Sequence, residues 1–168
     1  MLIKDKKGNI SSFEIGSRLV DTISIDWYET RSRIMHKQSK LGEQVVIKFL
    51  QSNPDLKEGD ILWFDDTRVI AVKIKPCKAI IIKPSNILEA ANIAFEIGNK
   101  HLPLFYEKDD LLIPYDEPLY KLLQASGYVM KIEDRKLNNP LKTSVSPHAH
   151  PGNGTSLFSK ILTLTTSS

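Results

Sequence analysis

The sequence predicts an α+β protein in three parts: an N-terminal all-β domain over residues 1–75, a β-α-β-β-α-β domain over 76–135, and a flexible C-terminal tail over 136–168. Three observations carry this. In the first part, apolar residues come in short runs divided by turn residues, with no 3.6-residue period. Near Pro76 the pattern changes to a buried-type run, Ala79-Ile80-Ile81-Ile82, followed by a helical period. From Glu133 onward regular patterning fades into a Ser/Thr/Pro/His/Gly composition that cannot bury much apolar surface.

In the first part, Leu2-Ile3 opens a short strand, and Leu19 through Trp27 reads as a second. Arg31 to Gln38 is polar but extended in character. Gly42 marks a turn before Gln44-Val45-Val46-Ile47-Lys48-Phe49. Lys57-Glu58-Gly59-Asp60 turns into Ile61-Leu62-Trp63-Phe64, and Asp65-Asp66 turns into Val69-Ile70-Ala71-Val72-Lys73-Ile74. Hairpins and meanders are the expected connections.

In the second part, Pro84-Ser85 starts a helix with Ser85 as the expected N-cap. Ile87, Leu88, Ala91, Ala94, Phe95 and Gly98 share one face at helical spacing, and Gly98-Asn99 are natural stop residues. Leu102 to Tyr106 is a strand, Lys108-Asp109-Asp110 a turn, and Leu111-Leu112-Ile113 the return strand. Asp116 caps a second helix with Pro118 in its first turn; Leu119, Leu122 and Leu123 form its apolar face and Gly127 ends it. Tyr128 to Ile132 is the last strand. This order is the ferredoxin-like unit.

Composition narrows the function classes. The 168 residues are 41% hydrophobic and 26% charged, as in ordinary globular proteins. A formal charge of +3 is too mild to imply nucleic acid or an anionic membrane surface. No apolar run approaches the ~20 residues of a membrane span, and Met1-Leu2-Ile3-Lys4-Asp5-Lys6-Lys7 lacks an apolar core of signal-peptide length. The lone Cys77 excludes an internal disulfide and a Cys-x-x-Cys zinc site, so a cytoplasmic location is the simplest expectation.

The four histidines are placed unevenly. His101 follows Gly98-Asn99-Lys100 at the end of the first helix, His148 and His150 stand together in Pro147-His148-Ala149-His150-Pro151, and His36 stands alone. Imidazole is the commonest metal-binding side chain and suits Zn, Cu and Ni. The two prolines favour an extended chain, on which residues two apart project to the same side and can grip one ion together. Such pairs also occur in unstructured tails with no ligand. The small residues Ala90, Ala91 and Ala94 would permit close approach of a second copy, and a twofold axis near His101 would then pair two imidazoles.

The run Phe95-Glu96-Ile97-Gly98-Asn99-Lys100-His101-Leu102-Pro103 resembles the Gly-Asn-Arg-His signature of the UreE family, urease accessory proteins that act as nickel metallochaperones. Trp27-x-Glu29 with Arg31 and Arg33, Gly42, Gly59-Asp60-Ile61-Leu62 and Ile70-Ala71-Val72 are similar to the family's first domain. Tyr115-Asp116 to Gly127 and Glu133-Asp134-Arg135-Lys136 are similar to its second. The resemblance implies a peptide-binding-like β domain, a ferredoxin-like metal domain, and a homodimer with His101 of each subunit at the interface. It further implies Ni(II) bound by His101 with His148 and His150, and passed through complexes with the urease accessory GTPase to apo-urease. It implies no catalysis. Three departures stand out: Lys100 replaces the signature's arginine, the tail holds only two histidines, and residues 151–168 extend past the usual stop with no assigned role.

The remaining candidates have bland readings. His36 is expected to be structural or exposed, Cys77 a packed thiol, and Asp65-Asp66 and Asp109-Asp110 turns without the Gly and Glu spacing of a calcium loop. Competing functions are a nucleic-acid module, for which Phe105-Tyr106 lacks the flanking glycine and basic pattern, a hydrolase using His101, and a Zn(II) or Cu(II) carrier. Ligand type leaves the metal open, since intrinsic affinity places Cu(II) above Ni(II).

Overall fold

The computed structural model describes residues 1–50 and 54–141. The chain divides into two compact units, Met1–Lys75 and Pro76–Ser168. Among the described residues the architecture is α+β: a unit of strands, then a unit of strands and two helices.

Among its described residues the first unit holds seven strands: β1 (Leu2–Ile3), β2 (Gly8–Asn9), β3 (Leu19–Ile25), β4 (Ile34–Gln38), β5 (Gln44–Lys48), β6 (Asp60–Phe64) and β7 (Arg68–Ile74). They form a three-stranded sheet, β1-β5-β4, and a four-stranded sheet, β2-β6-β7-β3. Alternation sends Ile23 and Ile25, Met35, Val45 and Ile47, and Ile70, Val72 and Ile74 into one shared core. Each such side chain taken from water contributes about 1.5–3 kcal/mol.

Two expectations hold only in part. β4 with β5 and β6 with β7 are antiparallel hairpins, but β3 runs parallel to β7 from Leu19 opposite Arg68 to Ile25 opposite Ile74, and β1 runs parallel to β5. Between β3 and its sequence neighbour β4 the pairing is a single bridge, Ile23 to Ser39. The strand expected to reach Trp27 stops at Ile25, and Trp27–Arg31 forms a 3₁₀ turn. The cause is local: the Glu29 carboxylate accepts from the Asp26 N–H at 2.8 Å, half of a capping box. Gly59 fulfils its turn role with φ +79°, and a Cβ there would stand 2.7 Å from Ile10 Cγ1.

The second unit runs β8 (Cys77–Ile82), α1 (Ile87–Asn99), β9 (Phe105–Glu107), β10 (Asp110–Pro114), α2 (Glu117–Ala125) and β11 (Met130–Arg135). The sheet order is β11-β8-β10-β9, with every pair antiparallel. This is the ferredoxin-like arrangement. Ala79, Ile80, Ile81 and Ile82 are all buried because β8 is central and covered on both faces. Ile80, Ile82 and Ile113 meet Ile93 and Ile97 of α1 and Leu119 and Leu123 of α2 in one cluster.

The caps are side-chain oxygens. Asp116 Oδ1 accepts from the Leu119 N–H at 3.0 Å, with Pro118 in the first turn of α2. For α1 the cap is Asn86, not Ser85: Asn86 Oδ1 accepts from the Glu89 N–H at 2.9 Å. Ser85 lies one residue too early, and its N–H and hydroxyl donate to the Glu89 carboxylate instead.

The apolar face expected for α1 points the other way. Ile87, Leu88 and Phe95 are 88%, 68% and 70% exposed, and Ala91 and Gly98 are exposed with them. The core-facing stripe is Ile93 and Ile97, flanked by half-buried Ala90 and Ala94. Helix α1 therefore carries two apolar stripes, and the unit's own core uses one.

Residues 136–141, which read as tail, continue the fold. Beyond β11 the chain buries Leu137, then runs antiparallel to β9: the Tyr106 N–H donates to Asn139 O at 3.0 Å, Phe105 bridges Pro140, and the Leu141 N–H donates to Leu104 O at 2.8 Å. Because β9 and β11 are opposite edges, this segment joins the two sides of the sheet. Arg135, at the end of β11, also pairs with Glu107, at the end of β9, and donates to Glu133 Oε2 at 3.2 Å.

Candidate metal centre

His101 is the candidate that the described residues place. Helix α1 ends in a two-bond cap: the His101 N–H donates to Gly98 O at 2.9 Å and the Leu102 N–H to Ile97 O at 3.3 Å. That is the Schellman pattern, with Lys100 as the C-cap and His101 at the left-handed position normally held by glycine. His101 accordingly has φ +55°. Leu102 packs against the cluster that contains Ile97, the apolar contact that usually accompanies this cap. The expected stop at Gly98-Asn99 comes later, since both residues remain helical and the reversal falls on His101.

The consequence is an exposed imidazole on a backbone fixed at the carbonyl end of a helix. The aligned peptide dipoles make that end favourable for a cation. Left-handed backbone is uncommon for a residue with a Cβ, though histidine is among those enriched there. Such strain persists only where the surroundings over-determine it.

One imidazole is an incomplete site. Among the described residues, no three His, Cys, Asp or Glu side chains are grouped to hold a metal ion. His148 and His150 lie outside the described residues. The chain leaves the described fold at Leu141, bonded to Leu104, three residues from His101. His36 is exposed on β4 in the first unit, opposite Val46 of β5. Cys77 is half-buried at the start of β8.

The sheet of the second unit is no base-stacking platform. Phe105 is buried, as are Ile81 and Leu112 on the same face, which leaves Tyr106 as the exposed aromatic of β9. No helix among the described residues is long and apolar enough to cross a membrane.

Sequence reasoning singled out His101 as a candidate but did not give its conformation. The left-handed position had no glycine to announce it. The pinned course of 136–141 was equally hidden, because Leu137 is a lone apolar residue in a polar stretch.

Comparison with known families resolves the class. Residues 3–75 match the UreE urease accessory protein N-terminal domain, and residues 76–154 match its C-terminal domain. The chain belongs to the UreE family. Its relatives span nearly its whole length. A urease accessory protein UreE from Flavobacterium johnsoniae is 43% identical over 164 residues, covering 98% of this chain and 99% of the relative. One from Acetivibrio thermocellus is 36% identical, covering 89% of this chain and 97% of the relative. One from Helicobacter pylori is 31% identical, covering 95% and 96%. UreE proteins are accessory proteins and not enzymes.

Proposed function

We propose that this UreE chain is a nickel carrier for urease maturation: it binds Ni(II) through His101 and hands it, in complex with the urease accessory GTPase, to apo-urease in the cytoplasm. The observation that carries the reading is the left-handed cap, which fixes the backbone of an exposed histidine at a helix end. A lone imidazole binds a divalent ion weakly, so the reading requires partners.

Two sources support it. The first is a second copy. The exposed stripe of α1 runs through Phe95 to Gly98, three residues from His101, and a Cβ at Gly98 would meet nothing within 4 Å of its own chain. A homodimer closed about an axis near Gly98 buries that stripe and brings two His101 side chains together. The second is the C-terminal segment. From Leu141 to His148 is seven residues, a reach of up to about 24 Å, ample for a return to His101. His148 and His150 then complete the ion's shell or hold a weaker second ion.

Nickel is cargo here, and a carrier must release it. Zn(II) and Cu(II) are the competing cargoes, since imidazole accepts all three. Calorimetry with each ion on the purified protein tests the reading. His101→Ala is expected to weaken the tightest nickel step at least about tenfold, or ~1.4 kcal/mol, without loss of fold. Parent-like binding by His101→Ala, with none by a chain stopped after Ser146, would place the site in the tail alone.

A further inference from the structure

A glycine inside a helix needs a reason, because only proline is less favourable there. Five of the six glycines among the described residues have one in their backbone, a positive φ. Gly98 is the exception. It stands in the last turn of α1 with no positive φ, and a Cβ there would meet nothing of its own chain within 4 Å among the described residues. Neither conformation nor internal packing calls for a glycine at this place. Its neighbours point to what does. Leu88, Ala91, Phe95 and Gly98 follow one another at intervals of three, four and three, the spacing by which one helix lies along another. All four are exposed, Leu88 by 68% and Phe95 by 70%. The Gly98 carbonyl also accepts the His101 N–H at 2.9 Å, so the backbone at Gly98 carries that of His101 with it.

We propose that Gly98 is a positioning residue for the carried ion: its missing side chain lets the α1 helices of two copies approach backbone to backbone, and so sets the gap between their two His101 side chains. This rests on the reading that His101 binds nickel within a homodimer. A second copy is the occupant of the stripe because it offers the same stripe in return and brings a second His101. The single copy leaves the site incomplete, since no three His, Cys, Asp or Glu side chains are grouped to hold a metal among its described residues. Packed helices stand about 8–10 Å apart, the value depending on the side chains at the contact. On a twofold axis one substitution adds two Cβ atoms to that contact. Metal ligands, by contrast, must keep their distance to within about 0.2 Å. A helix displacement on the order of 1 Å is several times that tolerance. With its backbone held in the cap, His101 has only side-chain rotation with which to absorb it.

The test is nickel titration calorimetry on the full chain and on Gly98→Ala, Gly98→Ser, His101→Ala and the Gly98→Ala, His101→Ala double variant, with circular dichroism to report folding and light scattering to report mass. Both Gly98 variants should fold, since alanine and serine favour helix over glycine and the added Cβ meets nothing of its own chain. Both should weaken the tightest nickel step at least about tenfold, and X-ray absorption should show fewer imidazole nitrogens around the bound nickel than in the parent. In the His101→Ala background, Gly98→Ala should cost nothing further. Parent affinity in a folded Gly98→Ala overturns the positioning role and leaves the nickel reading standing. An equal loss in both backgrounds also overturns it, because Gly98 would then act apart from His101. Loss of fold in both Gly98 variants does so too, because the glycine would be needed within its own chain. Parent affinity in His101→Ala, or full nickel binding by a parent of single-chain mass, overturns the dimer-site reading itself, and the positioning role with it.

Discussion

On the proposed reading, stability and binding pull in opposite directions at His101. A residue with a Cβ in the left-handed region costs about 1–2 kcal/mol relative to glycine, which is at home at this cap position. His101→Gly is therefore expected to hold or raise the thermal midpoint while losing nickel affinity at least about tenfold. Differential scanning calorimetry and nickel titration on the same sample check both halves. A lower midpoint would mean that the imidazole is a structural group. Gly59 is the contrasting case: its positive φ and the 2.7 Å approach to Ile10 Cγ1 leave no room for a side chain. Gly59→Ala should lower stability by about 1–3 kcal/mol in a denaturant titration. That Gly59 sits in a turn was legible from Lys57-Glu58-Gly59-Asp60. That His101 sits in a helix cap was not, because the motif names the residue and not its backbone.

Helix α1 shows what periodicity can and cannot say. Its apolar residues at helical spacing were read correctly as a stripe, but Ile93 and Ile97 form another, and sequence does not tell which faces the chain's own core. Two substitutions separate them. Ile97→Ala should destabilise the fold by about 2–5 kcal/mol by leaving a cavity. Phe95→Glu should leave circular dichroism intact and convert a dimer to single-chain mass in light scattering. A parent that already scatters as a single chain at tens of micromolar would refute the dimer. The helix start has its own pH signature. Hydrogen bonds from the Ser85 hydroxyl and N–H hold the Glu89 carboxyl below its ordinary range. A group lowered in the folded state contributes stability above its unfolded pKa, and the contribution is lost as pH falls through the folded value. Amide exchange in the first turn of α1 should therefore quicken as pH falls through the acid range relative to the rest of the helix, and Glu89→Gln should abolish that difference.

Across the whole chain, element order was legible and pairing was not. The β-α-β-β-α-β order followed from where periods of two and 3.6 alternate, and local signals such as Asp116 and Pro118 fixed α2 closely. Partnership in the first unit depends on contacts distant in sequence. The parallel pairing of β3 with β7 joins residues almost fifty positions apart, and no local signal encodes it. The same holds for the pairing of 136–141 with β9. A chain stopped after Ser146 should remain a dimer that binds nickel, with fewer ions per dimer or weaker affinity, by calorimetry and light scattering. An unchanged stoichiometry and affinity would remove His148 and His150 from the site.

The left-handed histidine also bears on how the chain changes over generations. Random substitution at position 101 is biased by stability toward glycine or asparagine, the residues that this backbone accepts most readily. Left without a demand for the imidazole, a lineage would drift there and become sturdier by doing so. If the imidazole carries nickel as proposed, selection holds a histidine at this cap against that drift, whereas His36 on its exposed strand meets no such bias. Homologues carrying glycine at the equivalent cap should prove more heat-resistant, and they should be found where nickel is no longer carried.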